Sequence, residues 1–412
     1  MSNIVLKGST SGDVTITVPA AAGTNTVSLP AATGSLPLSN LIHVTNRPNV
    51  KPIVINGDMQ ISTRGTSITG ITGTSYNSLD RIALDISDNG TWTQTQSTDV
   101  PAAQGFASSL KMDCTTADSA VATGVFHLLR YKIEGRDCQL FKKGTASPEY
   151  ITVAFWIKSN LTGTFTTEIF DSQGDDRTIS KTFTIDSADT WEKKVLSFVG
   201  DTSGAQPNTS ALGLSVNIWM TGGATFTGGT LQTAWGAKTD NERADTSVNI
   251  ASSTDNEYYL TGLQVEVGEY TASTLPPFQH ETVQDSQMRC ARYCQKMTAA
   301  NNNFVGRGFS SDGGGRGATL IDSNCAMRAA PTVTTSAAST FKFAIGTTGS
   351  GNGSGFIVKS YFNQATFNNG TGFNSNQNFV VWLDISASGL SDGAFTRGVS
   401  NGDSFVQLEA EL

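Results

Sequence analysis

The stretch YITVAFWIKSNLTGTFT, residues 150–166, decides the fold. Its first half alternates: Val153, Phe155 and Ile157 fall on one side of an extended chain, Ala154, Trp156 and Lys158 on the other, and a run of Ser, Asn, Thr and Gly closes the segment. Period-two alternation ended by turn-forming residues reads as a strand with one buried face. The same pattern recurs in LDRIALDIS (79–87) with Ile82, Leu84 and Ile86, and in LGLSVNIWM (212–220) with Leu212, Leu214, Val216, Ile218 and Met220. In GLQVEVGEY (262–270) it aligns Leu263, Val265 and Val267 opposite Gln264 and Glu266. With no strand–helix–strand alternation beside them, these runs predict an all-β chain whose residues 51–278 form an antiparallel sandwich or jelly roll.

Composition agrees. Charged residues are 15% of the 412 positions, against roughly 25% in an average soluble protein, and the chain carries 42 glycines among many Thr, Ser and Asn, a mixture that favours strands and turns. The length suits two or three domains. A net charge of -8 argues against a nucleic-acid partner, which needs clustered Lys and Arg. No apolar window of about 18 residues occurs and MSNIVLKGST lacks a basic-then-apolar leader, so the expectation is a soluble chain with no membrane insertion and no conventional secretion.

Residues 1–50 hold a weak repeat, TVPAAAGT (17–24) echoed by SLPAATGS (28–35), each after a few alternating apolar positions. Pro19 and Pro30 end these short strands. Strands so short and Ala-rich need a partner surface, another copy or another protein. ETVQDSQMRCARYCQKMTA (281–299) is the one helical signal, a connector over 279–300, and NNNFVGRGFSSDGGGRG (301–317) reads as a flexible polar passage. Strand-like pieces from FKFAIGTT to SFVQLEAEL then predict a second β domain within 301–412.

The sequence offers no catalytic constellation. His127 lies in an apolar strand context, which suits a satisfied core histidine better than a base, and no GxSxG elbow occurs. Asp171, Asp175 and Asp176 in DSQGDDR offer paired carboxylates or calcium ligands, but in a Gly-containing turn where acids are common, and without EF-hand spacing. DGGGRG (312–317) lacks the GK[ST] of a phosphate loop. Five cysteines are an odd number and too sparse for a disulfide framework, and Cys290 and Cys294 find no further ligands nearby in sequence. The expectation is a non-enzyme without cofactor or metal.

INGDMQISTRG (55–65), LDRIALDIS (79–87), FWIKSNLTGTFT (155–166), DTWEKKVLSFVGDTSG (189–204) and LTGLQVEVGEYTA (260–272) follow one another in an order that resembles a module of bacteriophage tail fibres. RCARYCQK (289–296), MRAAPTVT (327–334) and LEAEL (408–412) are similar to the helix and distal β segment after it. The resemblance spans residues 53–412 and implies a carbohydrate-binding-type jelly roll on a homotrimeric fibre of the virion tail. Residues 1–50 would anchor it to other tail proteins and the distal domain would face a host surface glycan or receptor. A fibre that also depolymerises polysaccharide, or one attached to the capsid, are the alternatives; the first lacks a regular coil repeat here.

Alternation puts Trp156 opposite Val153, Phe155 and Ile157, and Trp219 opposite Leu214, Val216 and Ile218. Three readings stay open: a platform for sugar rings, packing against a subunit or covering loop, or a core built on the tryptophan faces instead. Trp235 and the pair Tyr258 and Tyr259 near loops are further ligand-binding candidates, and Trp191 reads as a packing residue.

Overall fold

The computed structural model describes residues 3–7, 13–17, 51–173, 176–300, 304–311, 316–322, 325–329, 331–336, 341–345, 349–351, 356–363, 379–386, 395–400 and 404–412. The chain divides into two compact units, Met1–Arg47 and Pro48–Leu412. In the first, β1 (Asn3–Lys7) and β2 (Asp13–Thr17) pair antiparallel, Asn3 opposite Thr17. Beyond Thr17, the Ala-rich repeat with Pro19 and Pro30 lies outside the described residues.

The second unit opens with β3 (Ser67–Ile71), β4 (Ser75–Tyr76), β5 (Ile82–Ser87), β6 (Thr91–Ser97), β7 (Ser109–Thr116), β8 (Phe126–Glu134) and β9 (Ile151–Ser159). Then come β10 (Gly163–Asp171), β11 (Arg177–Ile185), β12 (Glu192–Phe198), β13 (Leu212–Gly222), the one-turn helix α1 (Ala224–Thr227), β14 (Gly236–Ala237) and β15 (Glu257–Val267). Among the described residues they form two antiparallel sheets, a seven-stranded one in the order β14-β11-β10-β13-β8-β5-β4 and a six-stranded one in the order β12-β9-β15-β7-β6-β3.

The stretch 150–166 belongs to both sheets. β9 lies between β12 and β15, whereas β10 lies between β11 and β13, so the turn after Ser159 carries the chain from one layer to the other. Gly163 sits there at φ 147, where a side chain would run into Val248. The alternation chose its faces correctly: Val153, Phe155 and Ile157 are buried with Ile82, Leu84, Ile86, Leu214, Val216, Ile218, Leu263 and Val265 in one core between the sheets. Gln264 and Glu266 point the other way but are not wet, because Gln264 Nε2 donates to Glu266 Oε1 (2.8 Å) and to the Pro276 carbonyl (3.1 Å) of the segment after β15.

The chain continues through α2 (Val283–Ala291), β16 (Cys294–Ala299), β17 (Phe304–Ser311), β18 (Arg316–Asp322), β19 (Thr332–Thr335) and β20 (Phe341–Ile345). It ends through β21 (Gly349–Gly351), β22 (Phe356–Asn363), β23 (Phe379–Ser386), β24 (Phe395–Ser400) and β25 (Ser404–Glu409). These make a small sheet, β16-β25-β19, and another of order β21-β20-β24-β17-β18-β23-β22. Two expectations need correcting. The helix over 281–299 stops at Ala291, because CQKMTA from Cys294 is recruited as a strand against Ser404–Glu409. The passage over 301–317 is largely ordered, since β17 and β18 form a hairpin with Arg307 opposite Leu320; residues 301–303 and 312–315 lie outside the described residues.

The residues after β25 return to the sandwich. Arg81, fully buried, lies 3.5 Å from the Tyr293 ring, donates to the Lys132 carbonyl (2.7 Å) and pairs with Glu411. Arg64 holds Glu409 (2.6 Å), Glu411 (3.1 Å) and Asp80 (3.3 Å). A buried arginine tolerates its desolvation only with such company.

Candidate functional site

The predicted site residues do not form one site. Trp219 does point outward from the core, as its strand parity requires, but it is only 1% exposed. The segment after β13 folds over it: Trp219 packs with Leu128, Ala244 and Phe226, its Nε1–H donates to Glu168 Oε2 (2.9 Å), and the Arg243 guanidinium lies 5.1 Å from its ring. Glu168 also accepts both arms of Arg243 (2.8 and 2.9 Å), Asn217 (2.8 Å) and the Thr178 hydroxyl (2.8 Å). Burial alone would raise its pKa, but Arg243 and these donors outweigh burial and hold it below the ordinary value. Trp219 is thus sealed by a covering loop and is no platform.

Tyr258 is corrected in the same sense. It faces the core, wholly buried, with its hydroxyl 2.8 Å from His127 Nε2 and its ring edge-on to Trp92. The other nitrogen of His127 meets Asn89 Oδ1 at 3.2 Å, and burial pulls this imidazole down to about 3, so it is a neutral, satisfied core group. Trp235 packs on the main core, its N–H donating to the Val199 carbonyl (2.7 Å) with Lys143 Nζ 5.4 Å from the ring. Asp171 is bound to Lys143 (2.6 Å), which also meets Asp201 (3.1 Å) and the carbonyls of Ser203 (2.8 Å) and Gly204 (2.7 Å); Asp175 lies outside the described residues. Cys290 ends up on α2 and Cys294 on β16, both buried, with burial raising each thiol. Among the described residues no group of three or more His, Cys, Asp and Glu is placed to hold a metal.

Trp156 is the residue left open. It is half-buried on the outer face of the six-stranded sheet, with Ala154 and Lys158 on the same side of β9. One edge rests on the backbone of Gly262, which stands at φ 63 in the bulge between Thr261 and Gln264; a Cβ there would lie 3.1 Å from Trp156 Cδ1 and 2.7 Å from Phe106 Cζ. Glycine is therefore what lets β15 pass so close.

Around Trp156 the same face carries Trp191, Tyr259 and a charged lattice. The rings of Trp191 and Tyr259 lie 6.1 Å apart at 65°, and Lys158 Nζ sits 4.1 Å from the Tyr259 centroid and 5.8 Å from that of Trp191. Asp99 accepts from Trp191 Nε1 (2.9 Å) and from Lys158. Its partial burial works upward, but those two donors prevail and keep the carboxyl below its ordinary pKa. Lys111 bridges Glu257 (2.6 Å) and Asp113 (3.3 Å), and Glu257 accepts from the Tyr259 hydroxyl (3.0 Å). Burial, with that hydrogen bond, pushes Tyr259 up to about 12.

Of this cluster the sequence marks Trp156 and Tyr259 as binding candidates and Trp191 as packing, and gives no sign of Lys193, Lys158 or Asp99. Trp191 and Lys193 are two apart in TWEKK, so period-two parity would have put both on one face; their meeting with β9 depends on the β9–β12 pairing. The arrangement can do three things chemically: stack a flat apolar ring face, donate from an indole N–H, and present ammonium groups.

No protein-family model matches the sequence, and no curated protein matches it. Among solved structures, the enzymatically active domain of tailspike protein 4 from bacteriophage CBA120 is similar over 52% of this chain, at 14% identity and a TM-score of 0.27; the chain spans about a fifth (21%) of that one. The xylan-binding domain from Paenibacillus barcinonensis Xyn10C is similar over 54% of this chain and 97% of its own, with 10% identity and a TM-score of 0.26. TmCBM61, solved with beta-1,4-galactotriose, is similar over 53% and 99%, with 6% identity and a TM-score of 0.26. Scores this low carry no functional argument.

Proposed function

We propose that the protein is a non-catalytic adhesin that binds a surface glycan through the outer face of its six-stranded sheet, and that it serves as a homotrimeric tail fibre of a bacteriophage. One observation carries the binding reading: Trp156 is a partly buried indole on the outer face of the six-stranded sheet, the face that also carries the paired rings of Trp191 and Tyr259. An indole left partly open on a sheet face has a use for its exposure, and a pyranose offers the flat apolar face that suits it. The fibre reading rests on the ordered motifs over 53–412, and trimerisation would turn weak single contacts into avidity. The residues first suspected of chemistry are committed elsewhere: Asp171 to Lys143, His127 to Asn89 and Tyr258.

Electrophoresis of the intact protein through native gels containing polysaccharides tests this. Wild type is expected to be retarded by at least one glycan, and Trp156→Ala to weaken that retardation about tenfold or more. Trp156→Leu, which refills much of the volume against Phe106, controls for folding and should bind as poorly as Trp156→Ala. Equal migration of all three proteins in every gel would sink the reading, and so would release of reducing ends from the retarding glycan.

A further inference from the structure

Two groups on this face stand unsatisfied, and they are neighbours. Among the lysines and arginines between residues 51 and 300, Lys193 is the one with neither an ion pair nor a hydrogen bond. Among the five tryptophans between residues 51 and 300, Trp156 is the one whose N–H finds no acceptor: Trp92, Trp191, Trp219 and Trp235 donate to Asn89, Asp99, Glu168 and Val199 in turn. The register of β12 on β9 places Lys193 directly opposite Trp156. Side chains in such a pair start about 5 Å apart at Cβ.

The nearby charges are already spent. Glu192 and Lys194 flank Lys193 but point to the other side of β12, where they pair with each other (2.5 Å) and Lys194 with Asp186 (3.4 Å). On the outer face Asp99 belongs to Lys158, and Glu257 and Asp113 belong to Lys111. Lys193 is exposed, yet burial of its stem lowers its ammonium pKa with no carboxylate to reverse the effect. An anion arriving beside it meets a cation that no carboxylate has claimed.

We propose that the Trp156 face selects glycans bearing uronic acids, the sugar ring stacking on Trp156 and its carboxylate bridging the Lys193 ammonium and the Trp156 N–H. The inference rests on the glycan reading above and adds the substrate class. A carboxylate suits the pair better than a sulfate ester does: it is planar, with one oxygen for each donor, whereas a sulfate ester is tetrahedral and leaves a third terminal oxygen without a donor.

The intact protein would be run in gels carrying polygalacturonate, neutral galactan or dextran sulfate. Polygalacturonate is expected to retard wild type about tenfold more strongly than galactan. Lys193→Gln should remove that advantage, about tenfold in the ratio of the two affinities; Lys193→Arg should keep most of it. Galactan retarding through Trp156 as well as polygalacturonate does, or Lys193→Gln behaving as wild type on polygalacturonate, overturns the inference and leaves the glycan reading standing. Stronger retardation by dextran sulfate than by polygalacturonate overturns the choice of carboxylate. No retardation in any gel brings down both.

Discussion

His127 lies between Asn89 and Tyr258 in the core, 0% exposed, and its pKa of about 3 has a consequence for stability. The unfolded chain takes up a proton on this imidazole below about pH 6.5 while the folded chain does not, so stability is lost as pH falls from about 6.5 towards 3. Each pH unit in that window removes about 1.4 kcal/mol. Urea unfolding of wild type against His127→Gln between pH 7 and 4 is expected to show the steeper decline in wild type; parallel lines would refute it. The apolar context of His127 in its own strand was enough to suggest a core histidine, whereas alternation left three readings open for Trp156. The burial of Val153, Phe155 and Ile157 is what removes the one that puts the core on its face. Alternation could not reveal that Trp219 is covered: its lid, residues 224–247, has no periodic pattern, and Arg243 reaches Glu168 only through tertiary folding. Nor could it reveal that Lys193 is unpaired, since that depends on where Asp99, Asp186 and Glu257 spend their charges.

At the scale of elements, the grip of the sandwich on the end of β25 is the contact most exposed to a single change. Glu411→Gln would leave Arg81 buried without its counter-charge and is expected to lower the unfolding free energy by about 3 kcal/mol, read by urea denaturation at pH 7. The paired change Arg81→Met with Glu411→Leu should recover most of that loss; a double variant as weak as the single would show that the charge pair is not the cause. The strands of the sandwich were legible because each shows its own alternation over six residues or more. β16 was not: CQKMTA alternates poorly and continues a helical stripe, and only the hydrogen bonds to Ser404–Glu409, over a hundred residues later, make it a strand. Similarly, the glycines of 304–311 read as loop because glycine tolerates both states, while the pairing of β17 with β18 and β24 decides between them.

For the molecule as a whole, β1 and β2 form only a two-stranded ribbon, an arrangement marginal by itself in water. Native mass spectrometry is expected to find three chains per particle, and removing residues 1–50 to reduce the proportion of trimers; a full-length chain that stays single at micromolar concentration would contradict the fibre reading. The position of β25, paired on both sides by β16 and β19 and tethered through Glu409 and Glu411 to Arg64 and Arg81, reaches further still. A protease that nicks the chain anywhere between Thr335 and Ser404 does not free the downstream piece. The two fragments should comigrate under native conditions and part only in denaturant, so a chain clipped in a hostile medium would keep its closing strand in place.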